Sequence, residues 1–293
     1  MTESSIQAQR LKRVHEKAKD SLSISTQVAP AGGVAANVTI YHMDISFRST
    51  RNKWSIAKRY SDFYAVRQQL RKFTKQHNRQ QCSNFSNLVP ILALNKTLES
   101  VFPRRHFRSD NITIIAERRV ALESFVQSLV KIVASIPMAI DLASDIESIT
   151  TTEGKQLAEL YAILRDFLEY PDKQIESEAK LTLAVLSLED VVVNSRRNIL
   201  AFDGRVCSNE CCSICLSEWD DEDCGGMNVV KLPCEHAFHE ECLLEWLQGS
   251  THCPMCREEP KTLGLSTCTD ESAAQHHDHG LKTYAEALTE RHS

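Results

Sequence analysis

The chain has 293 residues, 42% hydrophobic and 25% charged, enough to bury a sizeable core and to exclude wholesale disorder. Nine glycines and eight prolines exclude a collagen-like or low-complexity chain. The net charge of −5 sums two opposed parts: residues 1–140 carry 22 Lys+Arg against 9 Asp+Glu (+13), and the remainder 12 against 30 (−18). Such opposition points to two modules with different partners, the basic one suited to an anionic surface. No run reaches the roughly 18 apolar residues of a membrane span, and residues 1–20 lack the apolar core of a signal peptide. A cytoplasmic protein, neither secreted nor membrane-spanning, is therefore expected.

Residues 1–34 are polar for most of their length and are expected to form a flexible arm. Val38, Ile40, Met43, Ile45 and Phe47 alternate with one slip, predicting a strand with a bulge. Trp54, Ile56 and Tyr60 continue the strand pattern after a turn at 51–53. Ser61 is placed to cap a helix with the apolar face Phe63, Val66, Leu70 and Phe73. Between residues 48 and 79 lie ten basic residues and one acid, Asp62. Residues 74–110 read as a long, poorly patterned loop. Leu122, Phe125, Val126, Leu129, Ile132 and Val133 then recur at helical spacing. Strands followed by helices predict an α+β module over residues 35–150.

Two further apolar stripes follow: Leu157, Leu160, Tyr161, Leu164, Phe167 and Leu168, then, past Pro171, Leu181, Ala184, Val185, Leu188, Val191 and Val192. They predict a helical linker over 151–206, forming either a helical hairpin on one of its neighbours or a dimer seam, with packing within the chain the expectation. The tail, 261–293, is polar and expected to be disordered. Its histidines, His276, His277 and His279, suit a loose metal site less well than a chance exposed cluster.

Of eleven cysteines, nine fall between Cys207 and Cys256. Without a secretory signal, cysteines clustered beside histidines read as a metal site and not a disulfide framework. The ligand order is Cys212-x2-Cys215-x18-Cys234-x1-His236-x2-His239-x2-Cys242-x10-Cys253-x2-Cys256. Eight soft donors fill two tetrahedral zinc sites with no position open for water, so both zinc ions are structural. Metal binding and folding should then be coupled in this small segment, residues 207–260.

This order resembles the RING-H2 finger, with histidine at the fourth and fifth ligand positions. The resemblance implies cross-braced ligation: Cys212, Cys215, His239 and Cys242 on one zinc, Cys234, His236, Cys253 and Cys256 on the other. It also implies an apolar patch for a ubiquitin-conjugating enzyme at Ile214, Trp246 and Pro254. The alternative for Ile214 and Trp246 is to cover the small zinc core. Arg257 matches the basic residue that, in active family members, bridges the conjugating enzyme and its thioester-linked ubiquitin; Arg suits that role through its rigid, multi-donor fork. The implied mechanism is direct transfer to a substrate lysine, with rate gained from orientation. Cys82, Cys207, Cys211, Cys224 and Cys268 lie in no Cys/His nucleophile setting, so no covalent ubiquitin intermediate is expected on this chain.

Lys58-Arg59-Tyr60-Ser61-Asp62-Phe63 resembles the signature of PX domains, which bind phosphoinositides, and the resemblance covers roughly residues 35–150. It implies that Arg59 grips the 3-phosphate, that the Tyr60 ring lies against the inositol, and that Arg118 holds ring hydroxyls. Where the family has a Pro-rich loop with a Lys, this chain has Phe102-Pro103-Arg104-Arg105, so Arg104 or Arg105 takes that place. Arginines suit the task through charge-assisted, often bidentate bonds to phosphate.

The expectation is thus an α+β multidomain protein: a RING-type E3 ubiquitin ligase, peripheral on endosomal membranes bearing phosphatidylinositol 3-phosphate. Its partners would be a ubiquitin-conjugating enzyme, ubiquitin and a protein substrate. A non-catalytic trafficking adaptor whose finger is only a docking module is the alternative. Nucleic-acid binding is disfavoured by the acidic surroundings of the finger.

Overall fold

The computed structural model describes residues 3–30, 38–77, 84–105, 111–144, 151–191, 193–194, 199–202, 205–207, 211–219 and 228–260. The chain divides into two compact units. One joins residues 1–18 to 173–279, and the other holds residues 19–172 and 280–293. The predicted tail and its histidines, with Cys82, Cys224 and Cys268, lie outside the described residues.

Residues 3–30, expected to belong to a flexible arm, are ordered. Helix α1 runs over Glu3–Asp20 and strand β1 over Leu22–Pro30. In α1, Arg10, Leu11, Val14 and His15 are buried. They recur at one-turn spacing, so a stripe that looks polar by composition is the packed face.

In the unit spanning 19–172, β1 pairs antiparallel with β2 (Thr39–Phe47), and β2 with β3 (Lys53–Arg59). The sheet therefore begins well before residue 35. Strand β2 contains no bulge. Tyr41, Met43, Ile45 and Phe47 point inward in strict alternation, leaving Ile40 half-buried on the opposite face. Tyr41 belongs to the core as an aromatic ring, edge-to-face with Phe63 at 6.2 Å.

Helix α2 (Tyr60–His77) starts at Tyr60, so Tyr60 is not in the strand. Asp62, not Ser61, closes the start of the helix, its Oδ2 accepting the Arg59 backbone N–H at 2.8 Å. Residues 74–110 are not a plain loop either. After a 3-10 turn at Asn84–Asn87, helix α3 occupies Val89–Glu99. Pro90 sits in its first turn, where a missing N–H costs nothing.

Helix α4 (Ile112–Ser144) has a segment, Ile112–Pro137, long and apolar enough to cross a membrane by length and composition. More than half of its most apolar 18-residue window is buried in the fold. Leu122, Val126, Leu129, Val130 and Val133 are fully covered where α4 packs on α3, β1 and β2. Helix α5 (Thr151–Leu168) packs on α2 and α4, and Trp54 Nε1 donates to the Leu168 carbonyl at 3.0 Å. The first stripe of the expected linker thus belongs to this unit.

Helix α6 (Asp172–Leu186) falls almost wholly in the other unit. The chain then continues as strands β4 (Glu189–Val191), β5 (Val193–Asn194), β6 (Ile199–Phe202) and β7 (Arg205–Cys207). Strand β4 joins β8 (Val229–Lys231) and β9 (Ala237–His239) in one antiparallel sheet, while β5, β6 and β7 form another. Helix α7 (Glu240–Gly249) follows β9 directly and buries Leu243, Leu244 and Leu247.

Candidate functional site

Two Cys/His quartets are assembled in the finger. Cys212, Cys215, His239 and Cys242 form one, and Cys234, His236, Cys253 and Cys256 the other, with donor atoms all within 4.8 Å of one another. A tetrahedron of about 2.3 Å metal–sulfur bonds spaces its donors about 3.8 Å apart, so the spread fits zinc. In both quartets the histidine turns Nδ1 to its neighbours: His239 lies 3.3 Å from Cys215 Sγ, and His236 3.4 Å from Cys234 Sγ and 3.7 Å from Cys253 Sγ. Burial, then neighbouring thiol and thiolate charge, pushes Cys242 up to about 12, and burial leads the same rise to about 12 at Cys234. Burial also acts to raise Cys215, but the Ser217 backbone N–H and the His239 ring outweigh it and bring that thiol down to about 6. Three thiolates can share so small a volume only if a cation takes up their charge. The cofactor these donors fit is a pair of structural zinc ions, which cross-link segments too short to build a core of their own.

Two matching turns present the Cys-x-x-Cys pairs. Leu216 N donates to Cys212 O at 2.7 Å and Cys212 N to Ser217 O at 3.0 Å. The second turn repeats this with Arg257 N to Cys253 O at 3.0 Å and Cys253 N to Glu258 O at 2.9 Å. Each turn closes on a residue with left-handed backbone, Leu216 at φ 64° and Arg257 at φ 62°. Arg257 is exposed, and Leu216 (75% exposed) and Met255 stand out into solvent as apolar side chains beside the ligands. Neither apolar residue was anticipated; their only signal in the sequence is adjacency to Cys215 and Cys256.

Trp246 is 41% exposed, while its indole N–H donates to the His252 carbonyl at 2.9 Å, just before the second turn. Ile214 and Pro254 are half-buried. The aromatic ring that covers the first quartet is Trp219, buried and edge-on to His239 at 5.2 Å.

In the other unit, the three segments singled out in the sequence converge. Arg59 ends β3 with an exposed side chain. Tyr60 donates its hydroxyl to the Pro103 carbonyl at 2.7 Å, and the Arg118 guanidinium lies 3.9 Å from the centre of its ring. Arg118 is itself buried. Burial raises the Tyr60 hydroxyl pKa, with Arg118 opposing.

Arg105 lies over Tyr64 at 5.9 Å, and Arg104 is exposed. Arg67 is an addition: its guanidinium stacks on Phe102 at 4.6 Å and donates to Leu98 O at 2.9 Å. Burial, then Arg71, lowers its pKa. The spacing 60, 64, 67 along one helix face is the signal that could have found it. Arginines held on aromatic faces around Tyr60 form an electropositive site preset for an anion.

The fold and quartets define a chain with a PX domain followed by a RING-type zinc finger. The PX domain family matches residues 47–137, and the Ring finger domain family residues 210–257. E3 ubiquitin-protein ligase RNF181 of Xenopus tropicalis is 45% identical over 51 residues, 17% of this chain and 30% of that protein. Its counterpart in Rattus norvegicus is 41% identical over 51 residues, 17% and 28% of the respective chains. RING-H2 finger protein ATL57 of Arabidopsis thaliana is 37% identical over 75 residues, 24% of this chain and 30% of that one. These alignments cover only the finger, and the chain spans less than a third of the length of each of these relatives. No solved structure matches the chain.

Proposed function

We propose that this chain is a RING-type E3 ubiquitin-protein ligase that its PX domain recruits to phosphoinositide-bearing membranes, endosomal in kind. The observation that carries the ligase reading is Trp246: an aromatic ring half in water, anchored to the second zinc turn, while Trp219 does the covering. A rigid, part-exposed aromatic ring is the usual anchor of an interface. With Ile214 and Pro254 it offers the apolar contact for a ubiquitin-conjugating enzyme. Arg257, exposed next to the last ligand, points a multi-donor group to where the conjugated ubiquitin would lie.

The zinc ions hold the two turns in place and take no part in the chemistry. The finger supplies no nucleophile. It restrains the thioester of the charged conjugating enzyme so that a substrate lysine attacks it directly, with rate gained from orientation.

The decisive measurement is self-ubiquitination by zinc-loaded protein with an activating enzyme and a panel of conjugating enzymes. Chains from wild type that fade in Trp246→Ala and Arg257→Ala support the reading. No chains with any conjugating enzyme, from protein holding two zinc ions, would leave a docking adaptor instead.

For the membrane half, the reading assigns the headgroup to Arg59, Tyr60, Arg104, Arg105 and Arg118; it is supported by Arg118 lying on the Tyr60 ring, Arg105 over Tyr64, and the exposure of Arg59 and Arg104. Vesicles containing phosphatidylinositol 3-phosphate should float wild type and leave Arg59→Ala behind. Equal recovery of both would overturn the site.

A further inference from the structure

We propose that α1 is a clamp on the finger's own helix: Arg10, aided by Arg13 and Lys17, holds the first turn of α7 and so fixes how α7 presents Trp246. The clamp itself is independent of the ligase reading; only its effect on catalysis rests on that reading.

Arg10 is 2% exposed. A guanidinium in such a place costs free energy unless its charge and N–H groups are matched, and carboxylates match both. Its Nη2 reaches Glu240 Oε2 at 2.9 Å and also the Asp190 carboxylate on β4. Glu240, buried as well, accepts Arg13 Nη1 at 2.9 Å, and its backbone N–H donates to Asn228 O at 2.8 Å. Farther along, Arg13 pairs with Glu241, and Lys17 Nζ lies 2.9 Å from Glu245. Gln7 Nε2 donates to the Leu186 carbonyl at the end of α6.

Positions 10, 13 and 17 fall on one face of α1, and 240, 241 and 245 on one face of α7. The charges are matched along the whole contact: bases on one helix, acids on the other. An exposed set of such pairs contributes little. Here the central pair is buried, so removing one partner strands a charge.

Place in the chain gives the clamp its leverage. Glu240 stands between two ligands of the first quartet, His239 and Cys242. At about 100° per residue, Trp246 projects roughly 150° away from the clamped face of α7. Helix α1 therefore grips the finger's helix from behind and leaves the tryptophan free. Arg10 is a positioning residue, acting on the contact surface through Glu240.

The test uses the full chain, zinc-loaded, as wild type, Arg10→Met, Arg10→Lys, Glu240→Gln and the Arg10→Met/Glu240→Gln double variant. The chain has three tryptophans, Trp54, Trp219 and Trp246, so 5-fluorotryptophan labelling gives three fluorine resonances. Arg10→Met should move the Trp246 resonance, leave Trp54 in place, and release zinc to a competing chelator at least about tenfold more readily. The double variant should lose less than the sum of the two single variants, because each of them already removes the Arg10–Glu240 pair. Arg10→Lys, which keeps the charge but not the fork, should show smaller changes of the same sign, and it carries the test if Arg10→Met loses the finger altogether.

In discharge assays, Arg10→Lys should raise KM for the conjugating enzyme and leave kcat nearly unchanged. An unmoved Trp246 resonance in Arg10→Met, or strictly additive losses in the double variant, would overturn the clamp. A wild type inactive with every conjugating enzyme would remove the ligase reading instead, and the resonances and zinc retention would still decide the clamp.

Discussion

The unit spanning 19–172 buries Tyr41, Met43, Ile45, Phe63, Leu70, Leu94, Leu122 and Leu129 in one continuous apolar interior. The finger buries a smaller set, Trp219, Val229, Val230, Leu232, Ala237, Phe238, Leu243, Leu244 and Leu247, interleaved with metal ligands and a buried ion pair. The same polypeptide thus contains a region ordered by area removed from water and a region ordered by coordination and charge. The first tolerates changes of solvent chemistry but not cavities. The second tolerates little loss of metal.

Metal removal should break that contrast most visibly. Structural zinc contributes about 10–16 kcal/mol in small fingers at neutral pH, so a strong chelator should unfold the finger and leave the other unit folded. Hydrogen exchange would read it: amides of 228–257 lose protection while those of 39–59 keep theirs. Loss of protection in both stretches would mean the two regions are not separately ordered.

A cavity should do the reverse. Phe63→Ala should cost about 3–5 kcal/mol, lowering the urea midpoint of the sheet-containing unit with zinc content unchanged at two per chain. Next in size, Trp246→Ala should reduce ubiquitin discharge by an amount equivalent to about 2 kcal/mol, some thirtyfold, with zinc retention intact. A loss of zinc in that variant would return the tryptophan to a covering role.

The smallest expected effect sharpens the picture of the turns. Leu216 holds left-handed backbone that a Cβ disfavours. Leu216→Gly should strengthen zinc retention by about 0.5 kcal/mol, read by chelator competition, since relief of the Cβ clash slightly exceeds glycine's entropic cost.

What could be read from the chain follows the same division. Zinc ligands announce themselves because coordination needs fixed residue types at fixed short spacings, and all eight assembled as their order implied. The β3–α2 junction was legible only to within a residue or two: Tyr60 opens the helix instead of ending the strand, and Asp62 takes the place expected for Ser61. Strand β2 was misread at Tyr41, whose hydroxyl disguises a core ring. Helix α3 was missed because Pro90 looks like loop punctuation until one sees it in a first turn. Helix α1 was misread for a deeper reason: its packed face includes Arg10, and the acids that justify its burial, Asp190 and Glu240, lie 180 and 230 positions away. No local pattern reports such a partner.

That separation has a consequence for the order in which the molecule is made. Helix α1 ends at Asp20 and α7 begins at Glu240, so 220 residues must be added before the pair can meet. At 5–20 residues per second, α1 leaves the ribosome roughly 11–44 s ahead of its counterpart. Strands β1 to β3 and helices α2 to α5 are complete in that interval. The whole sheet-containing unit can therefore fold while a basic, half-apolar helix waits beside the ribosome for the last part of the finger.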